Sequence, residues 1–324
     1  MEDNWDRRSE LVKLDLGTIN EMLRSVLGRH KVVAATILAS GHVNTNYKLQ
    51  VEDSEEALVL RVHTRDQHSC QKEFSLFKAV GEIVPMAEIL YIEPTPSNFG
   101  FAYSVLKWVD GVLLDSVITS EDSSLVSQVA RDIGGKLAAI GSYRFAQPGL
   151  LDQNLELEVP FTTTAESWLS FIQRCLFEGH ASQQLGEEWT AQLWQYVNEN
   201  VSQLAALTQE SLLVHGDFKG SNILVREEVE GWRVAAVLDW EFAYAGSFLS
   251  DIGTLLRYNR RFNPVFESSF IAGFEQQGGK LPNEWKRTAG LLDLLNLCDF
   301  LNRPHGNEVM RQEVTQLIIN TLKS

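Results

Sequence analysis

The amino-acid sequence predicts an α+β fold in two lobes, a strand-rich front followed by a mainly helical remainder. Three observations predict it. Short apolar segments with strand-like alternation crowd roughly the first hundred residues. Apolar stripes at helical spacing fill most of the rest of the chain. A single strand pair, between residues 222 and 238, interrupts those helices.

In chain order, residues 31–40 and 46–52 read as strands around a polar turn, and 57–63 as a third, rich in Leu and Val. Phe74, Phe77 and Lys78 lie at helical spacing and predict a helix over 69–80. Residues 88–92 and 101–107 read as two further strands. Beyond them Val126, Val129, Ile133, Leu137 and Ile140 form one helical stripe over 124–142. Trp189, Leu193, Val197, Val201 and Leu204 form a second, and 285–301 and 309–322 two more. The strands at 222–225 and 234–238 are joined by a polar turn through Gly231. The change of character near 107–111 marks a hinge, dividing the chain into a strand-rich lobe, 1–107, and a helical lobe, 108–324.

The totals narrow the function. Of 324 residues 44% are hydrophobic, enough for a sizeable core, and no apolar run approaches the ~20 residues a bilayer span needs. The charged start over 1–10 is unlike the apolar centre of a signal peptide, and no membrane partner is expected. Cys70, Cys175 and Cys298 are scattered and form no CxxC pair, which fits reduced thiols in a cytoplasmic protein. A formal net charge of −15 opposes nucleic-acid binding, which needs clustered Lys and Arg. The same charge is compatible with a cationic ligand and with plain solubility.

The chemistry concentrates in residues 212–241. His215-Gly216-Asp217-Phe218-Lys219-Gly220-Ser221-Asn222 precedes the strand pair, and Leu238-Asp239-Trp240-Glu241 closes it. With Asn222 opening the first strand and Asp239 closing the second, antiparallel pairing sets an amide oxygen and a carboxylate side by side. Both are hard oxygen ligands that suit Mg²⁺ carried by nucleotide phosphates. Asp217 lies on the loop leading into the same point, where a carboxylate orients a hydroxyl and accepts its proton. Lys219 adds positive charge beside a transferring phosphate. His215 is read as a structural residue bonded to backbone.

This segment resembles the catalytic loop of the protein-kinase-like fold, His-x-Asp-x-x-x-x-Asn followed by an Asp on the next hairpin. Its His-Gly-Asp and Asp-Trp-Glu forms are similar to the aminoglycoside phosphotransferase and choline kinase branch. The resemblance spans roughly residues 39–257 and is strongest from 213 onward. It implies a bilobal protein-kinase-like fold, ATP or GTP as donor, Mg²⁺, Asp217 as catalytic base, and Asn222 and Asp239 as metal ligands.

The front of the chain fits that resemblance. Gly41 and Asn44, between two strands, match the Gly-x-x-Asn of the family's phosphate-covering loop, although a plain hairpin turn has the same composition. In 58–63 Leu58, Leu60 and Val62 share one strand face while Arg61 points to the other. A charge there needs a partner, and Glu73 on the following helix is the candidate. The family commonly has Lys at this position; guanidinium also holds phosphate. Backbone near Lys107 and Val109 is expected to meet the base of the nucleotide.

Only eleven residues separate Asp239 from Asp251, and no long activation segment or Ala-Pro-Glu-like anchor follows, which points to a small hydroxylated acceptor. Asp251 is expected to accept backbone N–H bonds from the catalytic loop. Glu241, Asp293 and Asp299 are acidic candidates for a cationic acceptor, and Trp285 and Phe300 are aromatic ones; each also reads as solvated or core. Two other functions remain compatible with the sequence: a catalytically silent nucleotide-binding scaffold of this fold, and a magnesium-dependent hydrolase of another.

Overall fold

The computed structural model describes residues 10–38, 43–64, 66–96, 99–161, 165–207, 210–303 and 307–323. Two short helices open it, α1 (Leu16–Met22) and α2 (Arg24–Leu27). Asp15 caps α1 by accepting the Thr18 N–H at 3.0 Å, satisfying one of the free donors of its first turn. The strand reading did not include these helices. They cover one face of an antiparallel sheet built from β1 (Val32–Ile37), β2 (Thr45–Val51) and β3 (Leu58–His63), then, after helix α3 (Gln67–Val80), β4 (Ile89–Glu93) and β5 (Ala102–Lys107). The spatial order is β1-β2-β3-β5-β4. Tyr47, Leu49, Leu60, Val62 and Val105 turn inward against Ile19 and Leu23 and make the core of this lobe.

After a linker over 108–111 the chain pairs β6 (Val112–Leu113) against the later hairpin and enters α4 (Ser123–Ile140). A hairpin of β7 (Gly149–Leu151) and β8 (Leu157–Pro160) precedes α5 (Ala165–Gln173), α6 (Ala181–Leu185) and α7 (Glu187–Asn200). Then come β9 (Leu212–Val214), β10 (Ile223–Glu228), β11 (Gly231–Val237) and β12 (Tyr244–Gly246). Helices α8 (Leu249–Leu256), α9 (Val265–Gln276), α10 (Trp285–Asn302) and α11 (Glu308–Leu322) complete the helical lobe. Its strands form two small sheets, β11-β10-β6 and β8-β7-β12-β9. The larger core, with Ile133, Phe218, Ile223 and Trp240, also takes in Leu76 and Val80 of α3, so that helix is packed on both lobes.

The sheet followed by helices agrees with the α+β reading, with adjustments. The first strand ends at Ile37, not at 40, and β10 runs on to Glu228, so that Gly231 starts β11 instead of sitting in the turn. Asn222 ends a 3₁₀ turn (Gly220–Asn222) just before β10, and Asp239 lies two residues past β11. The pairing of Ile223 with Val237, extended by the Leu238 N–H bond to the Asn222 carbonyl at 2.8 Å, still brings both ends together. Cys70, Cys175 and Cys298 are buried free thiols. No helix among the described residues is long and apolar enough to cross a membrane.

Candidate active site

The site begins with β9, three fully buried residues that deliver His215 to the interior. The His215 and Gly216 N–H groups donate to the two oxygens of Asp251 at 2.8 and 2.9 Å. Asp251, in the first turn of α8, is therefore the brace the sequence reading expects. Gly216 makes the turn at φ +82°, and a Cβ there would lie 2.4 Å from the Phe242 carbonyl oxygen, so glycine is required twice over.

The His215 ring, wholly buried, accepts the Asp217 N–H at Nδ1 (3.2 Å) and reaches the Leu238 carbonyl through Nε2 (2.9 Å). An acceptor at Nδ1 and a donor at Nε2 define a neutral imidazole, and burial lowers its pKa accordingly. His215 thus ties the loop before Asp217 to the residue before Asp239.

Asp217, Lys219 and Asn222 meet directly. Asn222 donates its amide to the Asp217 carbonyl at 2.9 Å and to Oδ2 at 2.8 Å, while Lys219 Nζ stands 3.2 Å from Oδ1. The carboxylate keeps 26% side-chain exposure, so it is fixed by two donors without being sealed.

A second cluster forms around Arg61. Its Nη1 donates to both Glu73 oxygens at 2.8 and 3.0 Å, its Nη2 to Asp239 at 2.5 Å and its Nε to Asn46 at 3.1 Å. Burial alone would raise the Asp239 pKa and lower that of Arg61. Their mutual charge outweighs it, holding Asp239 below the ordinary carboxylate range and Arg61 above its usual value. Asp239 adopts φ +61°, ψ +62°, a left-handed conformation costly for a non-glycine residue.

The remaining predicted positions fare differently. Asn44 is buried and its side-chain oxygen accepts the Thr64 N–H at 3.3 Å, fastening its loop to the end of β3. Gly41 lies outside the described residues. Both donors of Lys107 are engaged by Glu88, the backbone N–H with its carbonyl at 2.9 Å and the ammonium with its carboxylate at 2.9 Å. Both donors are thus held by the residue just ahead of β4. Trp108 N–H bonds the Ala57 carbonyl, and the next position along the linker is Val109. Of the acidic candidates, Asp293 is buried against Arg257 and Asp299 pairs with Arg303; Phe300 lies beneath both arginines.

Sequence reasoning missed Asn46, which faces Arg61 across the β2–β3 ladder. It also missed the β7–β8 turn, whose Gln153 carbonyl accepts the Ser75 hydroxyl of α3 at 2.8 Å. The first was signalled by a polar residue inside an alternating strand; the second had no local signal.

A sheet lobe and a helical lobe thus meet at paired carboxylate, amide and guanidinium groups. The chain belongs to the phosphotransferase enzyme family, whose model matches residues 34–291. Solved structures agree in fold. A thermostable mutant of aminoglycoside phosphotransferase APH(4)-Ia, in ternary complex with AMP-PNP and hygromycin B, superposes with a TM-score of 0.66 at 18% identity, covering 94% of this chain and 98% of that one. The GDP and kanamycin complex of APH(2")-IIIa gives 0.69 at 16%, covering 95% and 98%. The streptomycin–ATP complex of APH(2")-IIa gives 0.61 at 16%, covering 95% and 97%. No curated protein matches the sequence.

Proposed function

We propose that this protein transfers the γ-phosphate of ATP or GTP to a hydroxyl of a small molecule, with residues 1–107 holding the nucleotide and 108–324 the acceptor. The observation that carries the reading is the convergence of Asp217, Lys219 and Asn222 at one end of the hairpin, with Asp239 attached through Leu238. The solved relatives bind AMP-PNP, GDP or ATP, which supports a nucleotide donor of either kind.

Asp217 is the base. Asn222 and Lys219 orient its carboxylate toward the acceptor hydroxyl whose proton it takes. Lys219 also faces the phosphoryl oxygens as charge builds there. Arg61, held by Glu73, places a guanidinium where phosphates lie, and Val109 is the linker position set to meet the base. Gly41 and Asn44 belong to the covering loop in this reading.

The donor set fits Mg²⁺. Asn222 spends its nitrogen on Asp217 and keeps its oxygen, and Asp239 keeps a second carboxylate oxygen beyond the one on Arg61. Among the described residues no cluster of three or more His, Cys, Asp or Glu could hold a metal, consistent with an ion bound mainly through phosphate and water. When bound, the ion neutralises charge on the transferred phosphate.

Coupled ADP release together with nucleotide-dependent thermal shift tests the reading. Asp217→Ala is expected to abolish turnover with the nucleotide shift intact, whereas Asp239→Ala loses both. Equal loss of nucleotide affinity in the two variants contradicts the assigned roles.

A further inference from the structure

A cavity of about 970 Å³ opens in the helical lobe between the turn after β6, the end of α8, and helices α10 and α11. Its volume suits a small molecule. One wall is Asp115, which lies against the catalytic loop: a Cβ on Gly220, the residue after Lys219, would stand 2.0 Å from the Asp115 carboxylate. Asp115 thus connects the cavity wall to the loop that carries Asp217.

Its charge differs from that of the rest of the molecule. The chain carries a net −15, yet the cavity is lined by Arg257, Arg260, Arg261 and Lys286 against the carboxylates of Asp115, Asp293 and Glu313. Arg257 and Asp293 neutralise one another in a buried bidentate pair. Lys286 is held by Glu267 at 2.7 Å. Arg261 reaches Glu313 only at 3.5 Å with 60% of its side chain exposed, a weak pairing in water.

Arg260 is different again. Neutral groups hold it, the Asn320 amide oxygen at 2.9 Å and the Asn320 main-chain carbonyl at 3.2 Å, and no carboxylate pairs with it among the described residues. It is an exposed cation at the rim of the cavity, positioned by neutral groups. Gln312, Gln316 and Asn259 add amides to the wall, and Trp285 adds an aromatic face. Amides and an indole suit a hydroxylated ring, and the guanidinium suits one negative group on it.

We infer that this cavity receives the distal part of the phosphoryl acceptor, and that the acceptor is a hydroxylated anion of the sugar-acid or sugar-phosphate kind. The inference rests on Asp217 as the base of the proposed reaction.

The test is coupled ADP release with gluconate against glucose, ribose 5-phosphate against ribose, and kanamycin as the polycation. Nucleotide thermal shift is read separately. The expected result is a kcat/KM about tenfold or more higher for the charged member of one pair, the pair identifying carboxylate or phosphate. Arg260→Gln removes that preference by raising KM, Arg260→Lys restores part of it, and both keep the nucleotide shift. Inorganic phosphate, a probe that needs no turnover, raises the Tm of the wild type and raises that of Arg260→Gln less; this reading decides the matter if no compound in the panel is turned over. A preference for kanamycin or the neutral sugars, or an Arg260→Gln variant with unchanged KM and phosphate response, overturns the inference and leaves phosphotransfer standing. Failure of every nucleotide to shift the Tm instead overturns the phosphotransfer reading.

Discussion

Replacing Arg61 by Gln is expected to be the most destabilising change at a single polar position of the site, and the size of the effect follows from its partners. The guanidinium is 9% exposed and makes four hydrogen bonds, two of them to Glu73, which is itself only 4% exposed. Removing it leaves the Glu73 carboxylate buried without a counter-charge, a situation that costs about 3–5 kcal/mol. The bond to Asp239 adds little to this, because that side chain is 38% exposed and water replaces the lost donor. Arg61→Lys keeps a cation beside Glu73 but cannot span Asn46 and Asp239 as well; losing those two bonds costs about 1–3 kcal/mol. The double variant Arg61→Gln/Glu73→Gln removes both buried charges and is expected to recover about half of the loss of the single one. Urea-denaturation midpoints of wild type, the two Gln variants and the double variant form a double-mutant cycle with an interaction energy of at least about 2 kcal/mol. An Arg61→Gln variant destabilised by less than about 1 kcal/mol, or a double variant no more stable than the single, would refute the view that this pair is a buried, mutually neutralising unit.

Three further outcomes are expected. Gly216→Ala forces a Cβ into a φ of +82° and onto the Phe242 carbonyl, so it should lose at least about 2 kcal/mol in denaturation and nearly all turnover; wild-type-like activity would contradict the loop geometry. Asp251→Ala orphans the buried N–H groups of His215 and Gly216 and should cost about 2–5 kcal/mol, read as a lowered Tm in calorimetry; a shift under about 1 °C would show that the loop is held elsewhere. His63 sits between the Ser69 and Ser104 hydroxyls, where burial and then the Arg61 charge push its pKa down to about 3. A folded pKa below the unfolded ~6.5 means that the unfolded chain takes up the proton first, so the stabilisation His63 provides is complete above about pH 6.5 and is lost as pH falls toward 3. The stability gap between wild type and His63→Gln should therefore shrink by about 1 kcal/mol between pH 6 and pH 5, and a pH-independent gap would mean that the ring titrates normally.

What the sequence revealed and what it hid divide along physical lines. Strands β2, β3 and β5 lie within a residue or two of their expected positions because their apolar alternation reports a half-buried sheet. Helices α4, α10 and α11 are legible for the same reason at the other period. Strands β6, β7, β9 and β12 are two or three residues long and carry no periodicity at all; long-range pairing makes them. Helix α8 is buried on every side, from Leu249 through Leu256, so it lacks the polar face that marks an amphipathic helix. In the site, Asp217, Asn222 and Asp239 are readable from spacing around one hairpin, a local device. The partner that holds the Lys107 donors, Glu88 just ahead of β4, is a neighbour that spacing along the chain does not disclose. The partner of Asp293, Arg257 at the end of another helix, is hidden from the sequence for the same reason.

The position of the neutral imidazole of His215 explains why so few residues keep the proposed catalytic groups in register. Through Nδ1 it holds the backbone of Asp217, and through Nε2 it holds the carbonyl of Leu238, the residue before Asp239. The proposed base and the opposing carboxylate thus share one buried ring, and the Leu238 N–H closes the circuit on the Asn222 carbonyl. All of these contacts belong to the helical lobe. Arg61, from the sheet, joins the circuit at Asp239, while its grip on Glu73 fastens it to α3, whose Leu76 and Val80 belong to the core of the helical lobe. A shift of the sheet against the helices therefore loads the Arg61–Asp239 contact before it disturbs Asp217 or Asn222. The group proposed to hold phosphate can respond to nucleotide while the group proposed to take the proton stays where the imidazole sets it.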